Sequence, residues 1–292
     1  MLSILRNKTY LKWILALLVI AGFAVAQFAA LKGQANEQST SAGVAQAAKD
    51  MNYRKVLSES NEAQAKTIKA ADPSSNIDWK KDASLSKKLD SIENAYNDAL
   101  AKAKAEVKAN GTVSDATRSK GLKLASDYQA AAEDYAKFWE ANNGPTRAKT
   151  TRALAKSIAA NADMAFNDID SDKIDAAKAA SAEAKAAADE YLASVKGNLS
   201  DKEKGAIKSN IVPKLQTLSS DVTGLVSGIT NLLDQVKSEA QSSMSVGGLT
   251  SCAQSAAQDG PAALLSPLSS LLSMVQGIGS DITGMISDLT SL

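Results

Sequence analysis

The chain has 292 residues, with 33 Lys+Arg against 32 Asp+Glu, no His, one Cys and 4% aromatics. The missing histidines exclude Ser-His-Asp and Cys-His catalysis, His-ligated zinc and His-ligated haem, and one Cys excludes an internal disulfide framework. A near-zero net charge speaks against a nucleic-acid binder, which needs a basic face to neutralise phosphates.

Residues 1–31 read as an export element. Arg6, Lys8 and Lys12 precede an apolar run from Trp13, and Ala24-Val25-Ala26 forms a small-x-small cleavage pattern before Gln27. Apolar character resumes at Phe28 and stops at Lys32, which brings the stretch to about bilayer-spanning length. Two outcomes are therefore open, cleavage after Ala26 or an uncleaved signal anchor. In either case the basic side stays cytoplasmic and the rest of the chain is extracytoplasmic, secreted or periplasmic if cleaved and membrane-anchored if not.

Residues 32–81 read as a polar segment. A Gln/Ser-rich stretch (33–43) leads into one weak helical stripe (Val44, Ala48, Met51, Val56), and Asp72–Lys81 forms a linker. Residues 82–200 carry the helical periodicity of an alanine-rich bundle. One apolar face runs Leu85, Leu89, Ile92, Tyr96, Ala99, Ala103 and Val107, and Asn110-Gly111 ends it, with Thr112 expected to cap the next helix. That helix carries Leu124, Tyr128, Ala131, Tyr135, Phe138 and Trp139 and stops at Asn142-Asn-Gly-Pro145. Two more follow, with faces Leu154–Ile169 and Ile174–Val195, and short turns between long helices favour antiparallel neighbours. The 53 alanines suit close helix approach, although each one buries little area.

Residues 201–292 change character. Nine of the 16 glycines lie here, and no Lys or Arg follows Lys237. Two heptad ladders, each stepping by three and four, predict a helical hairpin. One runs Leu215, Leu218, Val222, Leu225, Ile229, Leu232, Val236; the other runs Leu268, Leu271, Val275, Ile278, Ile282, Met285, Leu289, Leu292. Ser220–Leu232 aligns on Ser280–Leu292 with seven of thirteen positions identical. The face opposite the second ladder is Ser269, Ser270, Ser273, Gly277, Ser280, Gly284 and Ser287. Gly224, Gly228, Gly277 and Gly284 are expected to allow close helix packing, since glycine inside a helix costs about 1 kcal/mol against alanine. Cys252, in the connector between the ladders, is a candidate for a disulfide joining two copies.

Other constellations carry less. Asp168, Asp170, Asp172 and Asp175 alternate like a calcium loop, but Lys173 and Ala179 stand where such a loop needs Gly and Glu, so helix capping is expected. Ser84-Leu-Ser-Lys87 lacks the companion motifs of a serine acyl-transfer site. Glu133, Asp134 and Lys137 beside the aromatics could form a polar pocket only if turned inward.

The expectation is an all-α protein, an elongated antiparallel bundle with a C-terminal heptad hairpin behind a signal or anchor helix. Its expected role is that of a non-enzymatic cell-envelope module with no cofactor, metal or nucleic acid. It associates with itself or with another envelope protein through the C-terminal ladders. The alternative is a membrane-active protein whose C-terminal helices insert into lipid or line a pore.

Overall fold

Alanine costs a helix least of all residues, and the ends of these helices are set by residues that stop or cap. The computed structural model describes residues 8–245 and 260–292, and the fold is all-α, with no strand among the described residues. The helices are α1 (Lys8–Glu59), α2 (Asn61–Ala71), α3 (Trp79–Asn110), α4 (Asp115–Ala141), α5 (Pro145–Ala165), α6 (Ser171–Val195), α7 (Asp201–Asn210), α8 (Val212–Ser245) and α9 (Leu265–Thr290).

The stops act as their chemistry requires. Gly111 takes a left-handed φ of 75° and its N–H reaches the Val107 carbonyl, closing α3. Asn143, at φ 57°, and Gly144 turn the chain sharply before Pro145 opens α5. Asp170 accepts from the N–H groups of Asp172 and Lys173, so the acidic cluster does cap α6, and Ser200 with Glu203 completes a capping box on α7. One detail differs. Ser114, not Thr112, caps α4, because its side chain reaches the Thr117 N–H.

Side-chain pairs fix the directions in which the helices run. Gly43–Asn161 and Asp50–Ser157 set α1 against α5, Met51–Asn97 with Arg54–Glu93 sets α1 against α3, and Lys149–Glu190 with Lys156–Glu183 sets α5 against α6, all antiparallel. Ser171–Ser266, Lys178–Ser273 and Lys196–Ser291 each join residues 95 apart, so α6 and α9 run in the same direction. Helices α3, α5, α6, α8 and α9 pack against α1, and α4 covers α3 and α5 from outside.

The main departure from expectation lies in α1. The polar stretch 33–43 is neither loop nor linker; it is part of a helix that runs unbroken from Lys8 into the centre of the protein. Ala35, Ser39, Ala42, Gln46, Lys49, Tyr53, Val56 and Ser60 step by three and four and are all buried. That ladder escapes a hydrophobic scan because Ser39, Gln46, Lys49 and Ser60 occupy places where apolar residues are expected. Ser60 ends the helix with its hydroxyl on the Val56 and Leu57 carbonyls and against the Tyr191 hydroxyl.

Small residues let the outer helices approach this core. A Cβ on Gly43 would sit 2.4 Å from the Ala165 Cβ, well inside contact distance. Gly43→Ala should therefore cost about 1–3 kcal/mol through overpacking, whereas Gly224→Ala, where a Cβ meets nothing within 4 Å, should add about 0.5–1 kcal/mol. Urea unfolding of the two variants measures both signs.

Candidate functional site

The apolar ladders of α8 and α9 do not form an exposed seam. Leu215, Leu218, Val222, Ile229, Leu268, Leu271, Val275, Ile278, Ile282, Met285 and Leu289 are buried, and Leu225 packs partly buried against the same cluster. They meet one another, α1 and α6, so these side chains are the chain's own core and are not presented to a partner. The reason is that α1 supplies the third wall, and the heptad period alone does not say which wall a ladder faces.

Close helix packing is the expectation for the four glycines. A Cβ on Gly228 would meet the end of the Gln38 side chain at 3.2 Å, a contact that a flexible amide relieves without bringing the backbones of α8 and α1 together. At Gly224, Gly277 and Gly284 it would meet nothing within 4 Å, so no packing among the described residues requires glycine. Cys252 lies outside the described residues. Ala24 and Ala26 fall within the continuous helix α1.

The outward faces of α8 and α9 carry hydroxyls and glycines. Thr217, Ser220, Thr223, Ser227 and Thr230 on α8, and Thr283 and Thr290 on α9, each donate to the carbonyl four residues earlier. These hydroxyls are satisfied by their own helix, so a body placed over them need not supply acceptors. Between the helices lies an open groove walled by Val222, Val226 and Val275 and edged by Ser219, Thr223, Gly279, Ser280 and Thr283.

A buried polar network ties α9 to the centre. Lys49, with no exposed surface, donates to Ser181 Oγ (2.8 Å) on α6 and to Asp281 Oδ2 (2.9 Å) on α9. Gln46 joins this pair to its neighbour: its Oε1 accepts from Ser181, and its Nε2 donates to Asp50 Oδ1 (2.9 Å). Ser157 on α5 donates to Asp50 Oδ2 at 2.6 Å. Burial pushes the Asp50 carboxyl up to about 6, although Lys49 and the bonds from Ser157 and Gln46 pull the other way. A groove of about 280 Å³ between α6 and α9 leads down to Ser181 and Asp281, past Lys178, Lys185 and Asp189.

The remaining candidates resolve as structure. Tyr128, Tyr135, Phe138 and Trp139 are core, and Trp139 is fully buried beneath Arg147, whose guanidinium stands 4.2 Å from the ring centroid. Arg147 donates to the Tyr135 hydroxyl, which donates to Asp82. Glu133 and Asp134 do not form an inner pocket: they pair at the surface with Arg152 and Lys88. Ser84 and Lys87 are exposed on α3. Among the described residues no group of three or more His, Cys, Asp or Glu could hold a metal ion. No protein-family model, curated protein or solved structure matches the chain.

Two measurements probe the network. An ordinary Asp titrates near 3.9, so the raised folded value of Asp50 means that protonation favours the native state. That stabilisation is full below about pH 4 and is lost as pH rises through about 6. Asp50→Asn, which mimics the neutral carboxyl, should gain about 2–3 kcal/mol relative to the parent between pH 4 and pH 7, measured by denaturant unfolding across that range. Separately, Asp281→Ala strips Lys49 of the carboxylate it pairs with at 2.9 Å and should cost about 3 kcal/mol, the low end for a buried pair because Asp281 is partly exposed. The double variant Lys49→Met, Asp281→Ala should recover most of that loss in the same assay.

Proposed function

We propose that the chain is an exported, non-enzymatic helical protein of the cell envelope, held at the membrane by the apolar first half of α1. In this reading the body is an elongated, mainly antiparallel bundle closed by an α8–α9 hairpin, and its work is structural. The outer faces of that hairpin are where a second copy docks.

The observation that carries the anchor is the continuity of α1. The apolar stretch Trp13–Leu31 passes without a break into the buried core that begins at Leu31, so a membrane span and the central strut of the body are one rigid helix. Docking is supported by the outer hairpin faces. Seven of their hydroxyls bond within their own helix, a Cβ on Gly224, Gly277 or Gly284 would meet nothing within 4 Å among the described residues, and from Ser238 to Leu292 there is no Lys or Arg. Small, self-satisfied faces of this kind let helices approach closely.

Lipid insertion by the C-terminal helices is the competing reading. Among the described residues Gly260–Thr290 is long and apolar enough to cross a membrane, with a mean hydropathy of 1.3 in its most apolar window. Against it stands the Lys49–Asp281 pair. Insertion would carry Asp281 and Asp288 into lipid at roughly 3 kcal/mol each if they reached its centre, and would leave a buried ammonium unpaired.

Full-length protein should pellet with membranes, resist carbonate extraction and dissolve in detergent; extraction by carbonate, or a mature amino terminus at Gln27, overturns the anchor. Light scattering in detergent should give a dimer or larger species, and Gly277→Leu with Ser280→Lys should weaken association at least tenfold. A strict monomer unaffected by these substitutions overturns self-association, and dye release from vesicles would favour insertion.

A further inference from the structure

The apolar stretch Trp13–Leu31 is about 19 residues long, which at 1.5 Å per residue reaches about 28 Å. The hydrocarbon core of a bilayer is about 30 Å thick. If α1 crosses a membrane, none of this stretch can be left outside. Yet its last residues are already packed on the protein. Phe28 lies 3.4 Å from where a Cβ on Gly260 would stand, and Gln27, Ala30 and Leu31 share a groove with Gln235, Ser238 and Glu239 at the end of α8. The same side chains meet both requirements only if the body touches the bilayer at this place.

The end of the body is stepped. The α3–α4 turn meets α1 at Gly33 and Asn36, and the α5–α6 turn meets it at Lys32 and Asn36. Those contacts lie roughly 6–12 Å further along α1 than Phe28. They also carry charge, since Lys32 pairs with Asp168 at 2.6 Å. Among the described residues it is the α8–α9 side that reaches the level of Phe28, where Glu239 shares the groove with Gln27. Past that point the charge thins: no charged residue of α8 follows Glu239, and Gly260-Pro-Ala-Ala-Leu-Leu265, preceded by Asp259, has none, with Ala262 and Ala263 exposed. One turn before Phe28 on α1, Val25 is 68% exposed, one of two large hydrophobics so placed among the described residues. The other, Trp79, opens α3 at the opposite end of the body.

The geometry points to a second membrane contact: the segment Gly260–Leu265, which leads into α9, lies in the interfacial layer of the leaflet from which α1 emerges. The occupant of this apolar step is the lipid bilayer itself. The inference rests on the anchor reading and extends it, because a body held both by α1 and by the start of α9 cannot swivel about a single helix. Its long axis is then set by the membrane, and the hairpin faces are turned sideways, toward neighbours in the same plane.

The test uses full-length protein with Cys252→Ser, carrying a nitroxide at Ala262→Cys, at Ala263→Cys or, as the far-end reference, at Ser74→Cys. Each is reconstituted into vesicles of phosphatidylcholine and phosphatidylglycerol. Power-saturation spectroscopy compares collisions with oxygen, which concentrates in lipid, and with a water-soluble nickel chelate. Labels at 262 and 263 should meet the chelate several-fold less often than the label at 74, and oxygen more often. Equal chelate access at all three sites in protein that pellets with the vesicles overturns the inference and leaves the anchor standing. Protein that stays in the supernatant overturns both.

Discussion

A helix that carries Lys, Asp and Arg through the centre of a protein persists only if those charges find partners there, and this demand organises the molecule. Lys49 requires Ser181 and Asp281, Asp50 requires Ser157 and Gln46, and Arg54 requires Glu93 and Asp90. Apart from Gln46, on α1 itself, those partners come from α3, α5, α6 and α9, so the polar groups of α1 specify which helices surround it and in what register. An unpaired buried charge costs several kcal/mol, whereas apolar contact between alanine-rich helices tolerates sliding. Register is thus written in the polar ladder more than in the hydrophobic one.

Alanine makes that arrangement possible by shortening the distance between helix axes. Ala165 against Gly43 brings the backbones near enough for serine and threonine hydroxyls on α1 to reach carbonyls of α5. The apolar area buried by each alanine is small, so the aromatic layer of Tyr128, Tyr135, Phe138 and Trp139 supplies bulk at one end. Along the α1–α6 side, over the length of the body, the leucine-rich ladders of α8 and α9 do so.

Much of the fold was legible in the sequence. The ends of α3, α4, α5 and α6 follow from Gly111, Asn142–Pro145, Asp170 and their neighbours, because caps and stops are local chemistry. The aromatic cluster reads as core because its members share one helical face. Less of the candidate site could be read. Gln46, Lys49 and Asp50 sit in a stretch whose composition resembles a surface, and nothing in their spacing separates a solvated helix from a buried one. Burial there depends on helices more than a hundred residues away.

The internal repeat shows where sequence ends and tertiary structure begins. Ser220–Leu232 and Ser280–Leu292 specify by themselves two amphipathic helices with matching apolar faces, since a three-four spacing on a 3.6-residue helix admits no other surface. In both copies those faces turn to the core, with Leu225 and Leu292 partly buried and the other ladder residues fully so. What the two faces meet was decided only by packing. Asp221 is exposed, while its counterpart Asp281 points at the buried ammonium of Lys49 and joins α9 to the core. The same residue in the same local motif has two roles, because a charge takes its energy from its surroundings and the surroundings are made by the rest of the chain.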